Sequence, residues 1–362
     1  MKGGDGRDGR PLQPDAYDEL QNLSGEPLPS PRSVFGEGSR WNGDTSGADV
    51  ILEKCYRNSR PLLATAHALG FGIYRGPDPG GGGGVLQMFD DPRLWEDVGY
   101  RTGGGQLPAG AQATLRRTRE TSPEFLETHS PVDDLIRFQR FDDARQQGER
   151  VAREIARNLD SDQLQHDDIV VINPDPRTAR ENLGPIRAQL LDLGIRSHMA
   201  GVDSSRDTFF RSGSVVFSGI HRAKGNEAAM VYIVNAQDCW YSPFNLASIR
   251  NRLFSAITRS KAWVRVCGTG DRMARLVEEY ETLKGNDFEL RFRYPTEDEL
   301  ARMRIVHRDM TAEEGELVGG HQSNLSKLID DLEAGRVYAE DLEGVTERLR
   351  TLLAVREGPS RK

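Results

Sequence analysis

From Asp133 onward, short apolar runs alternate with segments in which apolar residues recur at helical spacing. The apolar runs predict strands at DDLIRFQRF, DDIVVINP, IRSHMAG, SVVFSGI, AMVYIVNA and AWVRVCGTG. The helical spacing predicts helices at DARQQGERVAREIARNL, TARENLGPIRAQLLDLG and LASIRNRLFSAITRS. Strands that alternate with helices indicate an α/β fold, in which helices cover both faces of a parallel sheet. In such sheets, ligands bind at the carboxyl ends of the strands.

The chain before Asp133 is less regular. The first fifty residues are rich in Gly, Pro, Asp and Ser, so we expect this segment to be largely irregular. The segment ILEKCYRNSRPLLATAHALGFGIYR predicts a helix that ends at Gly70. GPDPGGGGG predicts a flexible surface loop, because it lacks the GK[ST] of a phosphate-binding loop. Residues from about Phe89 to Pro131 give no assignment.

After about Asp287 the chain is highly charged and each of its segments has only a thin apolar stripe. We expect a helical C-terminal tail, either solvated or packed on the sheet domain or a partner. The pattern divides the chain into four regions. These are 1–50, 51–132, 133–286 and 287–362.

Composition narrows the class of protein. With 362 residues and 36% hydrophobic content, the chain is long enough for two ordinary domains. It has no apolar run of the length of a membrane span and no apolar signal segment, so we expect a cytoplasmic protein without membrane contacts. The three cysteines are widely spaced, which favours reduced thiols over disulfides or a zinc site. A net charge of −8 still permits a locally basic nucleic-acid groove.

Two polar clusters flank neighbouring predicted strands. The first is the stretch from Ser218 to Glu227, which follows the strand SVVFSGI. The second is carried by the helix before AWVRVCGTG, which presents Arg250, Arg252 and Arg259. Arginine suits bidentate contacts with phosphoryl oxygens, so the clusters indicate binding of a phosphate or a nucleic-acid backbone.

Four segments of the chain resemble, in order, motifs of superfamily 1 helicases of the UvrD/Rep type. YDELQNL is similar to motif II (D-E-x-Q-D), and LEKCYRNSRPLLATA is similar to motif IV (L-x-x-N-Y-R-S). GIHRAKGNEAAMVYIV resembles motif V (T-x-H-x-x-K-G-L-E), and RNRLFSAITRSKAWVRV resembles motif VI (A-[IL]-T-R-[AS]). The resemblance runs from about Asp18 to Gly270 and is most specific from Ser214 to Gly268.

The resemblance implies a RecA-like parallel sheet at 133–286, equivalent to the second motor domain of these helicases. It further implies that 1–50 is a remnant of the first RecA-like domain, that 51–132 holds the motif IV helix and a connecting region, and that 287–362 is a tail. Such a domain closes over ATP and Mg²⁺ bound on the first domain and moves single-stranded DNA or RNA.

The resemblance also implies roles for individual residues. Arg57 and Arg259 match the two arginines that contact the γ-phosphate, and alone each would pass for an exposed helix arginine. The residues that match nucleotide-binding positions are Gly225, Glu227 and, more weakly, Arg252. The residues that match nucleic-acid contacts are His221, with Arg222 and Lys224 as helpers, although His221 also suits a simple turn. The residues that match motif II are Asp18 as the magnesium ligand, Glu19 as the residue that orients water, and Gln21 as the coupling residue.

Several positions depart from the family pattern. Asn226 replaces the usual motif V leucine, the prolines before Asp18 disfavour the strand that motif II normally ends, and WNGDTSGADV lacks the glutamine of motif III. No lysine lies in a G-x-x-x-x-G-K-[ST] pattern, so the sequence contains no P-loop.

We therefore expect the C-terminal part of an ATP-dependent superfamily 1 helicase or translocase, with poor ATP hydrolysis by the chain alone. The chain would then be a truncated reading frame or one half of a split protein, and a separate chain would carry the P-loop domain. The alternative is a non-catalytic nucleic-acid-binding or interaction module derived from a helicase. A third reading is a remnant without activity.

Overall fold

The computed structural model describes residues 54–80, 82–89, 92–103, 107–205, 208–243, 245–300 and 303–306. In chain order, the helices are α1 (Arg60–Phe71), α2 (Leu94–Asp97), α3 (Phe125–His129), α4 (Val132–Leu135), α5 (Ala144–Asp160), α6 (Ala179–Asp192), α7 (Ile220–Ala223), α8 (Leu246–Ile257), α9 (Gly270–Gly285) and α10 (Glu297–Leu300). The strands are β1 (Gln87–Phe89), β2 (Tyr100–Thr102), β3 (Gln112–Arg117), β4 (Ile136–Phe141), β5 (Ile169–Asn173), β6 (Ser197–Met199), β7 (Val215–Gly219), β8 (Ala228–Ile233), β9 (Ser260–Thr269), β10 (Leu290–Arg293) and β11 (Arg304–Val306). Short 3-10 helices lie at His166–Asp168 and Ala236–Cys239.

A six-stranded sheet organises the region after Asp133. Its strand order is β4-β9-β8-β5-β7-β6, and every neighbouring pair is parallel. Each of its strands overlaps one of the six apolar runs that predict a strand in the sequence. The α/β expectation is therefore confirmed.

Helices cover both faces of this sheet. Along β5, the side chains of Ile169 and Val171 pack with α5 and α6, whereas those of Val170 and Ile172 belong to the core formed with α1, α8 and α9. This alternation follows from the pleat of a strand, and burial on both faces explains why the strand is apolar at successive positions. Each fully buried aliphatic side chain contributes about 1.5–3 kcal/mol to folding.

Helix α1 is apolar around most of its circumference and is buried on all sides except at its first residue. It begins after Ser59, with Pro61 in its first turn, where the missing N–H costs no hydrogen bond. The predicted stop at Gly70 is wrong, because the helix continues to Phe71 and Gly72 adopts the left-handed conformation with φ of 71°. A Cβ at Gly72 would also lie 2.8 Å from the Leu86 Cγ atom, so both backbone and space require glycine there.

The glycine-rich loop after α1 is organised around one carboxylate. Asp78 forms a buried ion pair with Arg75 and accepts hydrogen bonds from the backbone N–H groups of Gly80 (2.8 Å) and Gly82 (3.3 Å). Arg75 in turn donates to the Gly84 carbonyl oxygen at 3.1 Å. The backbone amides that a phosphate would need are thus bound to a carboxylate of the same loop.

Two strands of a three-stranded antiparallel sheet, β2 and β3, lie in the region for which the sequence gives no assignment, and the third, β10, lies after Asp287. Its order is β10-β3-β2, and the register places Phe292 opposite Ala113 and Tyr100 opposite Arg117. The inner side chains of β3 and β10 join the core around α1. Strand β3 therefore shows the alternation of a half-buried strand, which its two arginines obscure in the sequence.

The C-terminal tail, expected to be helical, also contains strands in its described part. Strand β10 and strand β11, which pairs with β1, both lie after Asp287, with only the four-residue helix α10 between them. The predictions for residues 1–50 and for most of the tail lie outside the described residues. Within the described ranges, no helix combines the length and apolar character needed to cross a bilayer.

Candidate nucleotide and nucleic-acid site

The segment resembling motif IV contacts the segment resembling motif V through an ion pair. The guanidinium group of Arg57 pairs with the Glu227 carboxylate, and the two side chains are 30% and 31% exposed. Arg57 also donates from Nε to the Asn58 side-chain oxygen at 3.5 Å. The Arg57 guanidinium is thus partly accessible and already paired with an oxyanion.

Asn58 and a strand pairing bring the motif VI segment to the same place. The buried Asn58 donates from Nδ2 to the Ser260 carbonyl oxygen at 2.7 Å. The backbone N–H of Ala228, directly after Glu227, donates to the Arg259 carbonyl oxygen at 3.1 Å. Since Ala228 and Ser260 begin β8 and β9, these three segments meet at the amino ends of two neighbouring strands.

Arg259 is the more enclosed of the two candidate phosphate arginines. Its residue is 4% exposed, and its Nε donates to the Ser255 carbonyl oxygen at 3.2 Å, one turn back along α8. Gly225 has φ of 88°, and a Cβ there would meet open space. The backbone conformation at position 225 therefore requires glycine, whereas the space around it does not.

A second group of candidate residues lies at the carboxyl end of the sheet. His221 is in α7, directly after β7, and Arg252 in α8 lies beside it. The guanidinium of Arg252 is 3.8 Å from the carboxylate of Asp175, which follows β5. The structure thus places Arg252 with His221 and Asp175, at the end of the sheet opposite to the Arg57–Glu227 pair.

The charges of two cations act on the His221 imidazole. Partial burial, followed by the nearby Arg252 and Lys224, lowers the pKa of His221 below its usual value. Lys224 is exposed, whereas Arg222 is partly buried and lies against the turn at Gly201. This group presents positive charge and one imidazole that is mainly neutral near pH 7.

Asp175 pairs with two arginines at this end, Arg177 and Arg252. Its carboxylate accepts from Arg177 at 3.0 Å, and this hydrogen bond is the main reason that the pKa of Asp175 is lowered. Nearby Asp238 has a raised pKa, first because of burial and then because of the Asp175 charge. The arginines at this end are therefore paired with carboxylates that an incoming phosphate would have to replace.

The motif II candidates Asp18, Glu19 and Gln21 lie outside the described residues. Among the residues that the structure does describe, no group of three His, Cys, Asp or Glu side chains could hold a metal ion. The described cysteines are free, and burial raises the pKa of the Cys239 thiol to about 12. That environment is typical of a packed thiol.

Sequence reasoning did not find Asn58 or Asp175. Asn58 lies between Arg57 and Ser59 in the motif IV segment, and no sequence signal distinguishes it from these polar neighbours. Asp175 directly follows the predicted strand DDIVVINP, so its position at a carboxyl end was available from the pattern. Neither partner, Ser260 or Arg252, could be inferred without the strand order.

Comparisons with known proteins found a matching family model and similar solved structures. Residues 214–267 match the family model of the UvrD-like helicase C-terminal domain. The chain is similar to the C-terminal domain of a possible DNA helicase from Lactobacillus plantarum WCFS1, at 17% identity over 40% of this chain and 79% of that chain, with a TM-score of 0.29. It is also similar to Arterivirus nonstructural protein 10, a helicase solved with DNA, at 9% identity over 35% of this chain and 27% of that chain, with a TM-score of 0.22. No curated protein matches the sequence.

The matched segment contains both the motif V and the motif VI sequences. The resemblance to the UvrD type is therefore confirmed for residues 214–267, which match the model of the UvrD-like helicase C-terminal domain. The parallel sheet of the structure includes this segment as β7, β8 and most of β9.

Proposed function

We propose that this chain supplies the second motor domain of an ATP-dependent superfamily 1 helicase or translocase that acts on single-stranded DNA or RNA. The observation that carries the proposal is the meeting of motif IV, V and VI segments at one end of the sheet, through the Arg57–Glu227 ion pair and the Asn58–Ser260 hydrogen bond. Segments from distant parts of the chain meet there beside one partly exposed guanidinium group.

The described residues at this end suit a nucleotide phosphate. Arg57 already binds the carboxylate of Glu227, and guanidinium groups bind carboxylates and phosphates by the same paired N–H geometry. When bound, ATP supplies the phosphoryl transfer that drives movement along the strand. In this proposal Arg57 exchanges Glu227 for the γ-phosphate, Arg259 supplies a second positive charge, and Glu227 turns to another part of the nucleotide.

The opposite end of the sheet suits a nucleic-acid backbone. His221, Lys224 and Arg252 lie together there, with Asp175 as their internal counter-anion. We assign Arg252 to this nucleic-acid group and not to the nucleotide group. In this proposal the nucleotide and the nucleic acid bind at opposite ends of one sheet. If contact with the phosphate rotates the domain, the rotation moves the bound nucleic-acid strand.

Mg²⁺ and the P-loop belong, in this proposal, to the part that faces this domain. Asp18 remains the candidate magnesium ligand by resemblance alone. A separate chain with a P-loop is the partner that completes the site. The non-catalytic alternative shares the nucleic-acid contacts but has no use for the accessible Arg57.

Calorimetric titration with Mg²⁺ and a slowly hydrolysed ATP analogue tests the proposal. We expect weak binding, near the millimolar range or about −4 kcal/mol, because only part of the site is present. Arg57→Ala should weaken it about fivefold or more, since a charge-assisted hydrogen bond is lost. Arg150→Ala is the matched control, because it removes an exposed arginine from an Arg–Glu ion pair on α5.

Equal affinities of the Arg57→Ala variant and the unaltered protein would contradict the proposed role. If single-stranded oligonucleotide binding persisted in that case, the non-catalytic binding module would be the better account.

A further inference from the structure

A pocket of about 610 Å³ lies outside the segments that resemble helicase motifs V and VI. It opens between the start of α1, the end of β3 and helix α3. Four arginines line it, and we call it the arginine pocket: Arg60, Arg116, Arg117 and Arg119.

Two of these arginines build the wall of the pocket. Arg117 is 1% exposed, donates to the Thr121 carbonyl oxygen at 2.7 Å and to Ser122 Oγ at 2.9 Å, and lies over the Tyr100 ring. Arg60 donates to the Asp287 carbonyl oxygen at 2.6 Å. The N–H groups of Arg60 and Arg117 that form these bonds donate to protein oxygens, so these two arginines shape the pocket.

The other two arginines are available to a ligand. The side chains of Arg116 and Arg119 are 59% and 89% exposed. Arg116 is 3.8 Å from Asp287 and 3.6 Å from Glu289, and Arg119 is 3.3 Å from Glu124. Exposed ion pairs of this kind contribute little, so an incoming phosphate can replace them.

The acidic residues that line the pocket each pair with one or two of its arginines; they are Glu124, Glu127 and Asp287. Glu127 accepts from the Arg60 backbone N–H at 2.9 Å and from its side chain at 3.3 Å. Glu289, which is not among the lining residues, is held more closely by Arg291, at 2.6 Å, than by Arg116, at 3.6 Å. The strand register also places Arg101 directly opposite Arg116. Like charges directly opposite each other are unfavourable in a sheet, and an anion between them would relieve the repulsion.

An exposed aromatic pair lies on helix α3, of which Glu127 and Thr128 line the pocket. The Phe125 side chain is among the exposed large hydrophobic groups, at 69%, and its ring centroid is 4.4 Å from that of His129 with a 31° tilt. Helix α3 carries both rings, and the pocket-lining Glu124, Glu127 and Thr128 lie beside them in sequence. Exposed aromatic rings next to arginines provide the stacking surface and the charge that single-stranded nucleic acids need.

We propose that the arginine pocket binds a single nucleic-acid strand, with phosphates at Arg116 and Arg119 and a base stacked on Phe125. This surface is separate from the motif V residues. The inference rests on the proposed function in taking a single strand as the ligand, but it requires no nucleotide. The arginine pocket would give the nucleic-acid strand a second contact, on the side of the protein that carries the antiparallel sheet.

Fluorescence anisotropy of a dye-labelled oligothymidine, measured over a range of salt concentrations, tests this inference on the full chain. Arg116→Ala/Arg119→Ala should weaken binding about tenfold and reduce the salt slope by about 1.4, because each phosphate contact on a single strand contributes about 0.7. Phe125→Ala should weaken binding about fivefold or more without changing that slope. Phe125→Trp keeps an aromatic ring and should bind as tightly as the unaltered protein. Phe125 is exposed, so neither change disturbs the core.

The matched control is Arg150→Ala/Arg153→Ala on α5, which removes the same charge from two exposed arginines. Equal losses in the control pair and the pocket pair, unchanged binding in Phe125→Ala, or no binding by the unaltered chain would overturn the inference. His221→Ala/Lys224→Ala separates the two proposals. If only that variant loses affinity, the motif V contact stands and the arginine pocket does not; the reverse result supports the pocket and contradicts the motif V contact.

Discussion

The side-chain amide of Asn58 donates a hydrogen bond of 2.7 Å to the carbonyl oxygen of Ser260, which is 202 positions further along the chain. This bond fixes the segment before α1 to the start of β9. Because Arg57 and Arg259 are the neighbours of these two residues, the bond also sets where both candidate phosphate arginines lie.

Replacing Asn58 should therefore destabilise the protein. Asn58→Ala leaves a buried carbonyl oxygen without its donor, so we expect the free energy of unfolding to fall by about 1–3 kcal/mol. Denaturant unfolding measures this. Asn182→Ala is the control, since it removes a partly buried asparagine whose amide bonds Thr178 within the same helical turn. A loss no larger than that of the control would mean that the Asn58 bond does not secure the motif IV segment.

Removing the charge of Glu227 should release Arg57. Inorganic tripolyphosphate has phosphates but no ribose, so we expect Glu227→Gln to bind it about two- to fivefold more tightly, the scale of an exposed ion pair. The ATP analogue should gain less, because Glu227 also serves the nucleotide in our proposal. Calorimetry with both ligands makes the comparison. Weaker tripolyphosphate binding in Glu227→Gln would show that Glu227 does not compete with phosphate for Arg57.

The ion pair between Arg250 and Glu279 should be the most sensitive charged contact in the fold. The two side chains are 0% and 3% exposed, and both carboxylate oxygens accept from Arg250 at 2.8 Å. We expect Glu279→Ala to lower the free energy of unfolding by about 3–5 kcal/mol, because it leaves a buried cation unpaired.

Glu278, the neighbour of Glu279, provides the control for this prediction. Glu278→Ala, one position earlier on α9, removes an exposed carboxylate paired with Arg275 and should change the free energy of unfolding by about 0.5 kcal/mol or less. The double change Arg250→Met/Glu279→Leu should recover part of the loss. Similar effects of Glu278→Ala and Glu279→Ala would argue against the buried pair.

Acid should destabilise the fold through His67. Burial, and secondly the Arg117 charge, lower the pKa of His67 to about 3, while its Nδ1 atom lies 2.9 Å from the Tyr100 hydroxyl. The unfolded chain then binds a proton that the folded protein does not, so stability decreases as the pH falls from about 6.5 toward 3. Between pH 7 and pH 5 this imidazole should account for a loss of about 2 kcal/mol.

The difference in unfolding free energy between pH 7 and pH 5 should consequently be smaller in His67→Gln than in the unaltered protein. The same substitution at the exposed His129 serves as the control. An unchanged pH dependence in His67→Gln would mean that this histidine is not held neutral by the core.

The apolar runs of the parallel sheet made its strands predictable from sequence, since strands buried on both faces need little more than continuous apolar residues. Strands β2 and β10 are only three and four residues long, and each carries outward arginines. Residues of β3 and β10 that pair are 175 positions or more apart, as the pairing of Leu115 with Leu290 shows, and no local pattern reveals a pairing of that range.

The candidate site was predictable in its parts and not in its arrangement. The motif resemblance singled out Arg57, Glu227 and Arg259, but their contacts depend on β8 and β9 being neighbours. The same strand order separates Arg252 from that group. The end of α1 shows a more local limit, because Gly70 and Gly72 are both plausible stops in sequence and only the backbone conformation distinguishes them.

The central claim is that Arg57 and Arg259 face the phosphates of a bound nucleotide. It is tested most directly by NMR of the arginine Nε–Hε signals, with the Arg57 and Arg259 signals assigned through Arg→Lys variants, during titration with Mg²⁺ and the slowly hydrolysed ATP analogue. We predict saturable shifts of both signals that are smaller with ADP, while the Arg150 signal does not move. If the ATP analogue left the Arg57 and Arg259 signals in place, or moved Arg150 equally, the account of this site would be contradicted.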